Sequence, residues 1–219
     1  MRTHCHRPSR PRCTALLALC LAAGACSQAP PRAVPPADQA ATPAAAAHPD
    51  AETWSLDPVH TRIMIAVDHA GYSKAIGTVS GTTGSLQLVP GSWEGAQVVA
   101  EIPLSRLDFG DEGWNRAVAA GGLLDSGRHP VASFRSLRVE PLDAGRARIH
   151  GELNLRGATR AVVLDAVRNA ERRHPLPPFR HTVGFSATAT LSRAEFGSTA
   201  WDSMIGDVVE VRIELEATR

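Results

Sequence analysis

From Trp54 to the C-terminus, apolar and polar positions alternate with a period of two, the signature of strands with one dry and one wet face. Arg62 to His69 places Ile63, Ile65, Val67 and His69 on one face and Arg62, Met64, Ala66 and Asp68 on the other. The same spacing groups Val98, Ala100 and Ile102; Ile149, Gly151, Leu153 and Leu155; Val162, Leu164 and Ala166; and Val183, Phe185, Ala187, Ala189 and Leu191. It is clearest in the last run, where Val209, Val211, Ile213, Leu215 and Ala217 alternate with Glu210, Arg212, Glu214 and Glu216. Turn signals at Gly71, Gly84, Pro90-Gly91, Asp143-Ala144-Gly145 and Pro175 to Pro178 separate the runs. The pattern predicts about eight antiparallel strands and one short helix over Asp111 to Ala120, where Asp111 and Glu112 suit a helical first turn. Such a sheet must bury its dry face against itself or a second sheet, so a barrel or a sandwich is expected.

Many inward candidates are small: Gly77, Gly81, Ala100, Gly151, Ala166, Ala187, Ala189 and Ala217. A filled interior reaches crystal-like density and wants larger residues opposite small ones. The chain offers five phenylalanines, one tyrosine and four tryptophans for that purpose. Two readings stand: a hollow interior, or small residues that ease curvature and packing. An eight-stranded barrel sits at the size where either occurs.

The N-terminal quarter follows another pattern. Met1 to Arg12 carries four arginines and no acid, and Ala15 to Ala25 is apolar or small without a charge. This reads as a secretory signal peptide over residues 1–25, its apolar run far short of the roughly 20 residues a spanning helix needs. The run ends Leu21-Ala22-Ala23-Gly24-Ala25-Cys26, which resembles a bacterial lipobox with Ala23 in place of the usual leucine. Lipidation at Cys26 is expected, and ordinary cleavage near Ala25 is the alternative. Ser27 rather than aspartate after the cysteine points to the outer membrane. Residues 26–52 form an alanine- and proline-rich tether, expected to be disordered, and residues 53–219 the folded domain. All four cysteines lie at or before Cys26, so the folded domain has no thiol chemistry. Loss of the four leader arginines leaves 19 basic against 22 acidic residues, a net of −3, which argues against a nucleic-acid partner.

Several segments together are similar to the YceI-like family of bacterial envelope proteins. Trp54-Ser55-Leu56-Asp57-Pro58-Val59-His60-Thr61 looks like its first strand, and Asp68-His69-Ala70-Gly71-Tyr72-Ser73, then Gly77, like the next. His129 to Ser136 resembles its proline- and phenylalanine-bearing entry to a strand, and Gly151 to Arg160 its central hairpin. Arg193-Ala194-Glu195-Phe196-Gly197 and Gly206 to Val211 match its close. The resemblance covers Trp54 to Thr218 and implies an eight-stranded antiparallel, lipocalin-like barrel that binds polyisoprenoid lipid. One stretch departs from the pattern: Asn115 stands where the family usually has an acid, and Ala117 where it has histidine. A charged network there is expected to be lost or rebuilt around Arg116.

No HExxH, GxSxG, phosphate loop or dinucleotide fingerprint appears, so catalysis, a metal and a cofactor are not expected. His60 and His69 bracket one strand roughly 30 Å apart, too far to share an ion. The residues expected to contact a ligand are Ile63, Ile65, Val67, His69, Val98, Ala100, Ile102, Phe134, Leu153, Leu155, Leu164, Phe185, Ala187, Val211 and Ile213. His60, Arg116 and His129, near strand ends, are candidates for a polar headgroup. The expected partners are an isoprenoid, quinone-like or other long-chain lipid and the envelope membrane through Cys26; a homodimer is admissible. A protein-interaction module with a filled barrel is the rival reading.

Overall fold

A computed structural model describes residues 48–219; the leader, Cys26 and most of the tether lie outside the described residues. The strands are β1 (Glu52–Leu56), β2 (Arg62–His69), β3 (Ser73–Val79), β4 (Thr83–Leu88), β5 (Gln97–Pro103), β6 (Leu107–Asp108), β7 (Val131–Pro141), β8 (Arg146–Leu155), β9 (Ala158–Arg173), β10 (His181–Ser192) and β11 (Ile205–Thr218). Among the described residues one α-helix, α1 (Glu112–Ala119), joins β6 to the β7 side.

These eleven segments make eight staves. Strands β1 and β2 pair in succession with β11, at Leu56↔Ala217 and then from Glu214↔Arg62 to Ile205↔His69, so they are one stave broken at residues 57–61. Likewise β3 pairs with β2 and β4 with β1, and β5 pairs with β4 while β6 pairs with β3. The ring β1-β4-β5-β7-β8-β9-β10-β11 closes through the β1–β11 pairing, all antiparallel. The barrel alternative therefore holds over the sandwich.

The breaks have local causes. Pro58 has no N–H for a ladder, and Asp57 Oδ1 accepts from the amides of Val59 (2.8 Å) and His60 (3.2 Å), turning the chain. Gly81 N donates to Pro58 O at 3.2 Å, so the second break sits against the first. Gly84, expected to mark a turn, lies instead inside β4 at φ +145°, where a Cβ would meet Val99 O at 2.0 Å. It lets β4 press close to β5. The helix starts as expected: Asp111 is its N-cap, and its carboxylate accepts from Trp114 N at 2.9 Å.

Inward side chains are not equally buried along the barrel. At the end formed by the start of β1 and the end of β11, Trp54, Leu88, Trp93, Ala147, Val183 and Ala217 form a tight core. Toward the other end, Ile63, Ile65, Val67, Leu153, Leu155, Val211 and Ile213 point inward yet are only half-buried, because they face space instead of one another.

Candidate ligand-binding site

That space is a cavity of about 500 Å³. Its floor is Trp93 and Phe185, whose rings lie 5.4 Å apart, with the Arg168 guanidinium 4.9 Å from the Trp93 ring. Arg168 also donates to Ser92 O at 2.5 Å, tying the floor loop to β9. The lower end is thereby sealed with apolar surface under an amphipathic arginine. The walls are the dry faces of the strands, and the mouth is framed by α1, the loop that follows it, and the turn between β10 and β11.

All fifteen ligand-contact candidates line this one cavity: Ile63, Ile65, Val67, His69, Val98, Ala100, Ile102, Phe134, Leu153, Leu155, Leu164, Phe185, Ala187, Val211 and Ile213. Small residues there have two uses. Ala100, Ala166, Ala187 and Ala189 leave room, whereas Gly77 and Gly151 admit rings: a Cβ on Gly77 would lie 2.9 Å from Phe109, and one on Gly151 2.4 Å from Phe134.

The three headgroup candidates lie off the cavity. His60 is exposed at the first break, its Nδ1 2.8 Å from Asp57 Oδ2. Arg116 is exposed on α1 with Glu112 at 3.6 Å. His129 packs over the β8–β9 turn, 2.8 Å from where a Gly157 Cβ would be. Strand-end position did not reveal which way these side chains turn. The polar members of the lining are instead Thr61, Asp68, His69, Thr82, Gln97, Arg193 and Ser198. Among them His69 is the group at the mouth whose ring nitrogens have no hydrogen bond to any described residue; its ring packs 5.1 Å from Trp114.

Comparison with known proteins returns the same fold. Residues 54–217 match the YceI-like domain model. The chain belongs to the YceI-like domain family. Its curated relatives include a UPF0312 protein of Ectopseudomonas mendocina, 26% identical over 160 residues, covering 73% of this chain and 83% of the relative. Among solved structures, BcnA of Burkholderia cenocepacia superposes with a TM-score of 0.66 at 17% identity, covering 74% of this chain and 98% of that one. A polyisoprenoid-binding domain from Saccharophagus degradans superposes at 0.54 with 15% identity, covering 75% and 97%. These likenesses establish the fold.

Within this YceI-like domain, the polar network around the helix does not run through Arg116. Asn115 carries it: its Oδ1 accepts from Phe109 N at 2.7 Å and its Nδ2 donates to Asp108 Oδ1 at 2.9 Å, pinning α1 to β6. The second bond and Gly110 N hold the Asp108 carboxyl below its ordinary pKa. Ala117 faces the cavity, where a histidine would have brought a polar ring. Arg156, at the β8–β9 turn, donates to the carbonyls of Leu123 and Gly121 and holds the loop after the helix.

The other side of the mouth depends on Arg193. It is buried and gives its donors to Gly206 O (2.9 Å), Ser198 O (2.6 Å), Ala200 O (3.0 Å) and Ile205 O (2.8 Å). The planar fork organises four carbonyls of one turn, which a lysine's point charge does not match. Sequence reasoning missed Asn115, Arg156 and Arg193 as site-shaping residues. Their signal, polar groups beside positive-φ or glycine turns, is weak without the fold.

Among the described residues, one trio of possible metal-ligating side chains meets: Asp57, His60 and Glu216, their atoms within 4.8 Å of one another. Partial burial raises the Asp57 pKa, but the hydrogen bonds from His60 and the amides of Val59 and His60 outweigh it and hold the carboxyl below its ordinary value. The Asp57 hydrogen bond and charge raise the His60 pKa. Both Asp57 oxygens are already engaged by the turn, so the trio is accounted for as a turn cap.

Proposed function

We propose that this YceI-like domain binds a long apolar lipid of the isoprenoid class noncovalently in its barrel, as a carrier or store in the bacterial envelope. The observation that carries the reading is the 500 Å³ cavity with almost wholly aliphatic and aromatic walls, within the range of small-molecule sites. Burial yields roughly 0.8 kcal/mol per methylene, so about 20 such groups supply about 16 kcal/mol before ordering costs. Affinity of that kind needs a dry tunnel and no catalytic constellation, and binding is the activity proposed. A filled interaction module would lack the hollow. The likeness to the Saccharophagus degradans polyisoprenoid-binding domain supports the same class of ligand. His69, accessible at the mouth, is the polar contact for an oxygen on the ligand's head, and the tail lies toward Trp93.

The setting belongs to the same proposal. The arginine-rich leader exports the chain, Cys26 is lipidated, and the tether holds the barrel in the periplasm at the outer membrane.

Delipidated Cys26→Ala protein titrated with all-trans-geranylgeraniol, followed by intrinsic tryptophan emission, to which the lining residues Trp93, Trp114 and Trp201 contribute, tests the binding. A saturable single-site response is expected, weakened at least about tenfold by Ala187→Phe and by Ala189→Phe, which fill the cavity. Unchanged affinity in both folded variants would place the ligand elsewhere and overturn the reading.

A further inference from the structure

The tryptophans are divided between the two ends. Trp54 is buried in the core at the closed end and Trp93 in the cavity floor, while Trp114 and Trp201 flank the mouth at 42% and 66% exposure. Tyr72, the chain's one tyrosine, stands at the same end in the β2–β3 turn and is 91% exposed. Met204 and Val208 extend the same apolar surface. Trp201 is held, not loose: it sits at φ +60°, its carbonyl accepts from Met204 N and Ile205 N at 2.8 Å, and Arg193 braces the turn from inside. A non-glycine residue in that region is kept only where surrounding structure over-determines it.

We propose that this lip is a docking surface for a phospholipid bilayer, through which the ligand passes without crossing water. The proposal rests on the cavity's holding an apolar lipid. A ligand released into water would lose the roughly 0.8 kcal/mol per methylene that holds it, which makes aqueous exchange very slow. Exchange at useful rates requires the mouth to open against an apolar phase, and the lip is continuous with the cavity wall through Trp114, Trp201 and Met204. Tryptophan and tyrosine are the side chains that favour the membrane–water interface.

Charge and reach fit the same occupant. Arg116 pairs with Glu112 and Arg128 with Asp125, and Asp202 lies within the lip itself, so the surface carries no net cationic field and suits a zwitterionic, shallow contact. Residues 27–47 span at most about 75 Å when extended. The fourteen-residue β11, tilted as barrel strands are, rises only about 35 Å along the barrel axis. A chain anchored at Cys26 thus permits the mouth, opposite the end where β1 begins, to face the bilayer.

The test uses unlipidated, full-length Cys26→Ala protein and vesicles of pure phosphatidylcholine, with and without geranylgeraniol. Co-sedimentation with the vesicles and transfer of geranylgeraniol from vesicle to barrel are expected to fall on the order of tenfold in Trp201→Ser/Met204→Ser. Transfer by wild-type protein should rise with vesicle concentration and change little with salt. Side-wall variants Ile76→Ser and Val163→Ser should match wild type. Retention of preloaded geranylgeraniol, after dilution without vesicles, should be unchanged in Tyr72→Ser/Val208→Ser, a variant at two lip residues outside the cavity wall that should lose sedimentation and transfer as well. Equal sedimentation and transfer in the lip variants, or transfer independent of vesicle concentration, would overturn the docking surface. Loss of preloaded ligand from wild-type protein would instead count against the cavity reading itself.

Discussion

At the residue scale, polar side chains do most of their work on the backbone. Arg193 gives four hydrogen bonds to carbonyls of one turn and has no carboxylate partner among the described ion pairs. Arg193→Met would leave the buried Ser198 carbonyl and three part-buried carbonyls without this donor, at up to about 1–3 kcal/mol each before relaxation. Urea unfolding is expected to show a loss of at least about 3 kcal/mol, little restored by lysine; a loss within 0.5 kcal/mol, on the scale of ordinary surface changes, would contradict the bracing role. At the mouth, His69→Phe keeps the ring against Trp114 and removes the nitrogens, so affinity for geranylgeraniol should fall about threefold to tenfold. Affinity for a hydrocarbon of the same length should not change. The Asp57–His60 pair gives a pH signature. The lowered Asp57 pKa makes its contribution full above the unfolded carboxylate value near pH ~4 and lost as pH falls through the folded value. The raised His60 pKa makes its contribution full below the unfolded value near ~6.5 and lost as pH rises through the folded one. The stability difference between wild type and His60→Gln should therefore be greatest between about pH 4 and 6.5 and shrink above it, remaining under about 1 kcal/mol because the ring is exposed. A difference flat from pH 5 to 9 would refute it.

At the element scale, the dry faces were legible because strand periodicity leaves no freedom: once Ile63 points inward, Ile65, Val67 and His69 must follow. The helix was legible too, since Asp111 acts locally as its cap. The stave breaks were not. Asp57-Pro58 could be seen as a turn, but that residues 57–61 and 80–82 interrupt single staves at one height depends on the contact of Gly81 with Pro58, which no local pattern encodes. Gly84 misled for a related reason: its freedom serves a close approach of two strands, not a reversal. The headgroup candidates are not among the residues that line the cavity. Being near a strand end does not say whether a side chain faces the hollow, and His60, Arg116 and His129 face away from it. The pinning of α1 by Asn115 can be checked directly. Asn115→Ala removes an acceptor for Phe109 N and a donor to Asp108 and should lower stability by about 1–2 kcal/mol. It should also raise hydrogen exchange across residues 109–119; unaltered exchange there would assign the helix's placement to Phe109 and Trp114 packing alone.

At the scale of the whole molecule, the barrel is asymmetric along its axis. One end is closed by Trp54 and Trp93, each beneath an arginine, and the other opens among Trp114, Trp201 and Met204. Under the proposed lipid binding, that asymmetry would give the ligand a direction, head at the mouth and tail at the floor, and the proposed docking would use the open end. The anchor is a separate matter with its own test: mass spectrometry of the mature wild-type protein should find an N-terminal Cys26 carrying acyl chains, and an unmodified Cys26 or an N-terminus at another residue would reject lipidation. The central claim is that the hollow holds an apolar lipid. Native mass spectrometry of the full chain, purified gently from a bacterial envelope, addresses it most directly. The expected result is a noncovalent adduct of isoprenoid character on wild-type protein, absent from folded Ala187→Phe protein; an intact, ordered barrel with no lipid adduct in either would contradict the account.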